Sequence, residues 1–124
     1  MIYTSPEQLS RNAAAPLDVC RLVFAVAEND AGMISLLRSS ATDEETMRMR
    51  TAVVFVAKLH TCASLNEIGR ALNRDHSAIK RQIDRAKLLW VDDTDFRNLC
   101  GRITIEKAGM LRQQVQPQQQ LFGT

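Results

Sequence analysis

The sequence predicts an all-α fold, one compact helical domain of about five to six helices. Three observations carry that reading. Helix-start signatures recur along the chain, apolar residues return at helical spacing, and no segment alternates as a strand would. With 124 residues, 45% apolar and 24% charged, the chain has the balance of an ordinary globular protein built around one core.

The elements follow in order. Ser5-Pro6-Glu7-Gln8, Thr42-Asp43-Glu44-Glu45 and Ser64-Leu65-Asn66-Glu67 each set a hydroxyl three residues before Glu or Gln. A hydroxyl so placed accepts from an orphan N–H of the first turn while the longer side chain reaches back. These signatures predict helices starting at Ser5, Thr42 and Ser64. A further start is expected at Asp18 after Pro16, with Val19, Leu22, Val23 and Val26 on one stripe, and another at Asp93 or Thr94. Met33 to Leu37, beyond Gly32, reads as a short turn or helix. The segment from Asp43 to about His60 becomes apolar on nearly all sides at Ala52-Val53-Val54-Phe55-Val56-Ala57, the mark of a helix in the middle of a bundle. Phe96, Leu99, Cys100, Ile103 and Met110 continue the helical pattern. Six of the eight residues from Gln113 to Gln120 are Gln, which predicts a disordered tail. The expected organisation is an arm with a short helix over 1–16, the domain over 17–112 and the tail over 113–124.

Composition excludes several classes. The longest apolar runs are far below the roughly 20 residues that span a bilayer, and no signal-peptide pattern opens the sequence, so the expected location is the cytoplasm with no membrane partner. Cys20, Cys62 and Cys100 are odd in number and set among apolar residues, as buried free thiols in a reducing compartment would be. No Gly-x-x-x-x-Gly-Lys-Ser/Thr run exists to cradle a triphosphate, so no nucleotide is expected. His60 and Cys62 have no second ligand pair or catalytic partner at suitable spacing, and neither an enzyme, a cofactor nor a metal is expected. Net charge is only +2, but it is uneven: residues 1–47 carry −4, residues 48–90 +6 and residues 91–124 zero. A basic middle suits a polyanion and equally suits a solvated helix face.

The segment Ser64 to Trp90 decides between these. Leu65, Ile68 and Leu72 share a face of one short helix, Gly69 allows a second helix to approach, and a turn at Asn73 leads to a helix beginning near Asp75. From Ile79, residues Ile83, Ala86 and Trp90 form its buried stripe. Ser77, Arg81 and Asp84 centre the opposite face, with Lys80 and Arg85 on its flanks. Two short helices and a tight turn, the second bearing polar and basic residues at its start, make a helix-turn-helix suited to the major groove.

Ser64-Leu65-Asn66-Glu67-Ile68-Gly69, Leu72, Arg74-Asp75-His76-Ser77 and Ile79 resemble the C-terminal DNA-binding domain of the bacterial chromosomal replication initiator family, DnaA. Arg50 through Lys58 resembles that family's preceding helix, and Asp95-Phe96 with Asn98-Leu99 its closing one, so the likeness covers roughly residues 17–104. The resemblance implies a sequence-specific binder of double-stranded DNA. It implies Asp75, His76 and Ser77 as base readers, with Ala78 beside them keeping an apolar base contact, and Arg50, Lys58, Leu65, Asn66 and Arg74 as backbone or supporting contacts. Lys80 and Arg81, from the polar face of the second helix, are expected at the DNA backbone as well.

Three departures qualify it. Ala78 stands where the family has a second hydroxyl after His, the turn is one residue shorter, and the loop that is Arg-rich in the family reads Arg38-Ser39-Ser40-Ala41-Thr42-Asp43-Glu44-Glu45. Carboxylates at that loop would repel a flanking minor groove. Without the ATPase motif the expected role is a transcription regulator, bacterial or phage-derived, and not an initiator by itself. Such a regulator would act as a monomer or homodimer, with RNA polymerase or another regulator as a protein partner. The alternative is a protein-interaction module that keeps the fold and has lost DNA binding.

Overall fold

In the computed structural model, which describes residues 2–104, the chain is all-helical. Six helices are α1 (Pro6–Ala13), α2 (Leu17–Val26), α3 (Ala31–Leu37), α4 (Glu44–His60), α5 (Leu65–Leu72) and α6 (His76–Asp92). A seventh, α7, occupies 94–104, so the described residues hold one helix more than the sequence suggested. Residues 105–112, counted as the end of the domain, and the Gln-rich 113–124 lie outside the described residues. No helix among the described residues is long and apolar enough to cross a membrane.

The α4 helix runs through the centre and touches α2, α3, α5 and α6. Its apolar run explains the position, since Ala52, Val53, Val54, Val56 and Ala57 are all essentially inaccessible. Around it pack Val19, Leu22 and Val23 of α2, Ile68 and Leu72 of α5, Ile79 and Ala86 of α6, and Phe96 and Ile103 of α7. The N-terminal arm belongs to this core, because Leu9 of α1 is completely buried.

Most helix starts form where the sequence places them. Ser5 accepts from Gln8 N–H at 3.1 Å, but Gln8 reaches back to Thr4 N–H. Ser64 and Glu67 form a reciprocal capping box, and the Ser64 N–H lowers the Glu67 carboxyl from its usual value. Asp93 starts α7 by accepting from Phe96 N–H at 3.0 Å. Two starts differ. The cap of α4 is Asp43 and not Thr42, because its carboxylate accepts both the N–H and the hydroxyl of Thr46, at 3.1 and 2.9 Å. The α2 helix begins at Leu17 after Pro16, with no side-chain cap, leaving Asp18 in its first turn.

Helix C-termini are closed by arginines from elsewhere in the chain. Arg102 donates to the carbonyls of Ala25 and Val26 at the end of α2. Arg50 donates to Leu36 and Leu37 at the end of α3, and Arg38 to Arg70 and Ala71 at the end of α5. Arg97 does the same for Trp90 and Val91 of α6. The last carbonyls of a helix have no intrahelical partner and carry the negative end of the dipole, so a guanidinium satisfies both needs.

Two apolar expectations are corrected. Trp90 is 44% exposed, because α6 outruns the core by its last turn and the indole lies against Phe55 with ring centroids 5.5 Å apart. Cys62 is exposed beyond the end of α4, whereas Cys20 and Cys100 are buried and desolvation pushes both thiols up to about 12. Thiol labelling of the native protein should therefore consume one cysteine promptly and the other two only on unfolding. Equal, prompt labelling of all three would contradict this packing.

Candidate nucleic-acid interface

The interface begins with how α5 hands over to α6. Asn73 ends α5 in the left-handed region at φ 57°, ψ 47°. Arg74 N–H donates to Gly69 C=O at 2.8 Å and Asn73 N–H to Arg70 C=O at 3.4 Å, the paired closure in which Asn substitutes for the usual Gly. Gly69 is required by the same turn. A Cβ there would collide with the carbonyl group of Arg74. The shorter turn is thus a complete helix ending, and it delivers the chain directly to Asp75.

Asp75 caps α6 by accepting from Ala78 N–H at 2.8 Å. The next residues, His76 and Ser77, begin the helix with their side chains in solvent, and Ala78 is half-buried. Of the four residues expected to read bases, Asp75 therefore has one carboxylate oxygen engaged by its own helix, while His76 and Ser77 have no protein partner among the described residues. Leu65 and Asn66 open α5, and their N–H groups bond to none of the described residues. The Glu67 carboxylate stands at the same end, bonded to Ser64 N–H at 2.8 Å.

Much of the positive charge in residues 48–90 is already engaged. Arg48 bridges Glu44 and Asp93, each at 3.1 Å, and Arg70 donates to Ala14 C=O at 2.7 Å. Arg74 donates to the carbonyls of Ser39, Leu72 and Asn73. Arg50, expected at a DNA backbone, is 2% exposed and instead donates to the carbonyls of Leu36, Leu37, Ser39 and Ala41. That correction has a direct cause: a guanidinium surrounded by backbone carbonyls inside the fold cannot reach a phosphate outside it. Burial, with Arg74 nearby, lowers its pKa. The bases left without partners among the described residues are Lys58, Lys80, Arg81, Arg85 and Lys87, four of them on α6. Lys58 stands apart in the last turn of α4.

A cleft of about 500 Å³ runs between α6 and the loop before α4, with Arg50, Arg74, Ala78 and Arg81 among its walls. It also takes in Gln82, Arg85, Ser40 and Thr42, which the sequence reading did not assign. The signal was present in the spacing, since Ala78, Arg81, Gln82 and Arg85 are i, i+3, i+4 and i+7 on one helix face.

The acidic loop residues do not face this cleft. Asp43 is spent on its cap, which holds its carboxyl below the ordinary range through the Thr46 N–H and hydroxyl. Glu44 pairs with Arg48, and Glu45 borders a different hollow with Val26 and Met49. The loop carboxylates are therefore absent from the walls of the cleft, although Asp43 is near enough to Arg50 to favour its charge. Arg38 is also unavailable for a groove, with its guanidinium on α5 carbonyls and 5.2 Å from the centre of the Tyr3 ring.

No protein-family model matches the chain, and no curated protein is similar to it.

Two substitutions test this geometry. Gly69→Ala should destabilise the fold by about 1–3 kcal/mol, the cost of overpacking a tight contact, read as a lower urea midpoint. Arg50→Ala leaves the carbonyls of Leu37 and Ala41 without a donor and takes one donor from those of Leu36 and Ser39, and should cost at least about 3 kcal/mol, since hydrogen bonds to charged groups contribute roughly 1.5–3 kcal/mol each. A wild-type midpoint for either variant would refute the role given to that residue.

Proposed function

We propose that the chain binds double-stranded DNA in a sequence-specific manner through a helix-turn-helix formed by α5 and α6, and acts as a transcription regulator, not as a replication initiator by itself. The observation that carries this reading is the start of α6. His76 and Ser77 stand unpartnered in solvent at the tip of a 17-residue helix whose exposed face bears Lys80, Arg81, Arg85 and Lys87. The resemblance of Arg74-Asp75-His76-Ser77 to the initiator family's DNA-binding domain supports it.

The physical argument is one of fit. A helix with its side chains is about 10–12 Å across, and the major groove is about 12 Å wide. Insertion by the N-terminal end brings His76 and Ser77 to base edges, while Arg81 and Lys80 on the following turn face strand phosphates. Asp75 reads with its second carboxylate oxygen, an acceptor suited to a cytosine amino group, and Ala78 offers only an apolar contact. The open N–H groups of Leu65 and Asn66 suit a phosphate at the start of α5, and Lys58 extends the contact to the end of α4. Arg74 serves by holding the turn, and Arg50 serves from inside the fold.

A second reading has its own observation. Leu59 and Trp90 are exposed and line one hollow at the far ends of α4 and α6, an arrangement that suits a protein partner such as RNA polymerase or another regulator. A chain that captures such a partner and never a duplex would be an interaction module.

Selection of bound duplexes from a random pool, followed by binding measured at two salt concentrations, tests the proposal. His76→Ala should lose about 1–3 kcal/mol on the selected site and nearly nothing on random duplex, because base contacts specify and phosphate contacts only position. Lys58→Ala should weaken all duplexes alike and reduce the logarithmic salt slope by about 0.9. Equal losses for His76→Ala on both duplexes would remove it from the base readers.

A further inference from the structure

The cleft between α6 and the 39–42 loop gathers four guanidinium groups, from Arg50, Arg74, Arg81 and Arg85, and no carboxylate lines it. Folding that brings like charges together works against itself unless something offsets them. Arg50 and Arg74 are partly offset by carbonyls, but Arg81 and Arg85 make no bond to any described residue. Arg50 lends the cleft a charge that is 2% exposed and fixed in place, with none of its four bonds made through Nη1. The side-chain oxygen of Gln82, on the same wall, is buried without a donor. Rotating that amide by half a turn presents its NH2 group to an acceptor instead. The hydroxyl-bearing Ser40 and Thr42 close the opposite side, and neither side chain bonds to another described residue.

Every charge on this lining is positive and every polar side chain on it can donate, so its ligand is an anion rich in acceptors. Planar guanidinium forks match a phosphate's oxygens two at a time. We propose that this cleft is a phosphate-binding site, with Arg81 and Arg85 as the direct ligands and Arg74, Gln82, Ser40 and Thr42 shaping the walls over the fixed charge of Arg50. Ala78 joins the cleft to the base-reading end of α6, so the phosphate belongs to the duplex strand beside the groove that the helix enters. That last step rests on the DNA-binding reading, whereas the chemistry of the bound group rests on the cleft alone.

The test follows the Nε–H signals of the arginines by NMR in the full chain, with inorganic pyrophosphate and the selected duplex as separate probes. Pyrophosphate should move the signals of Arg74, Arg81 and Arg85 with saturation, leave Arg11 and Arg21 in place, and lose its effect in Arg81→Gln/Arg85→Gln. Both substituted positions are exposed, and an unchanged circular dichroism spectrum verifies the fold. In the duplex arm, single neutral methylphosphonate linkages are placed in turn along each strand. One position should weaken the wild type severalfold and leave Arg85→Gln unaffected. Between 50 and 200 mM salt, the wild type should also lose about threefold more affinity than Arg85→Gln, the size expected for one released counterion. Saturable pyrophosphate binding with no duplex binding would uphold the cleft and assign it a free phosphorylated ligand, while overturning the DNA reading. Duplex binding with no methylphosphonate position coupled to Arg85, and pyrophosphate shifting all arginines alike, would overturn the cleft and leave DNA binding standing.

Discussion

The arrangement of this molecule depends on one buried guanidinium. Arg50, a third of the way along the central helix, donates to carbonyls at the end of α3 and in the loop that follows. Without it the carbonyls of Leu37 and Ala41 would lack a donor, which is costly. The delocalised charge of Arg tolerates the site better than a compact ammonium would. Once α3, the loop and α4 are held at this point, Arg38 and Arg74 connect the loop to the α5–α6 turn through further carbonyls, and Asn73 returns a bond to Arg38 C=O at 3.3 Å. The turn and the loop thereby form one unit, and the surface beside α6 takes its shape from a residue almost wholly buried beneath it.

Helix α6 has two unlike ends. Its start is polar, capped and exposed, and belongs to the candidate interface. Its finish carries Trp90 against Phe55, which in turn meets Phe96 at 6.1 Å, so an aromatic row ties the end of α6 to α4 and α7. Between the ends, Ile79, Ile83 and Ala86 seat the helix on the core. The rigid middle holds the starting residues at a fixed height above the domain, which is what a surface that must meet a ligand in one orientation requires.

The helices were legible in the sequence because their signals are local. Ser64 and Glu67, Asp75, and Asp93 need only the next three residues to do their work. Thr42 does not cap α4 because one carboxylate oxygen of the neighbouring Asp43, Oδ2, accepts both the N–H and the hydroxyl of Thr46. Long-range roles were illegible. Arg50 and Arg81 look alike in one dimension, and only packing turns one inward to carbonyls and leaves the other in solvent. The basic stretch showed the same ambiguity, since four of its six arginines bond to carbonyls or pair with acids. Periodicity placed Trp90 correctly on the inner stripe, yet the stripe continued past the edge of the core. Cys62 has an apolar neighbourhood in sequence, but the short segment after α4 turns outward. The four-arginine cleft needed two distant segments, 40–50 and 74–85, to be brought together.

The bonds that fix the loop run almost entirely to its backbone oxygens. Within 39–42, Ser39 alone contributes a side chain, through its hydroxyl to Leu36 C=O and from Ala41 N–H. Ser40 and Thr42 support nothing in the fold, although both border the cleft. Their identities are consequently free of the architecture: a change at either position alters what the cleft presents without disturbing how the chain folds. Mutation at these two sites can explore new ligand preferences at almost no cost in stability, so the loop gives this scaffold a place where recognition can drift while the structure stays put.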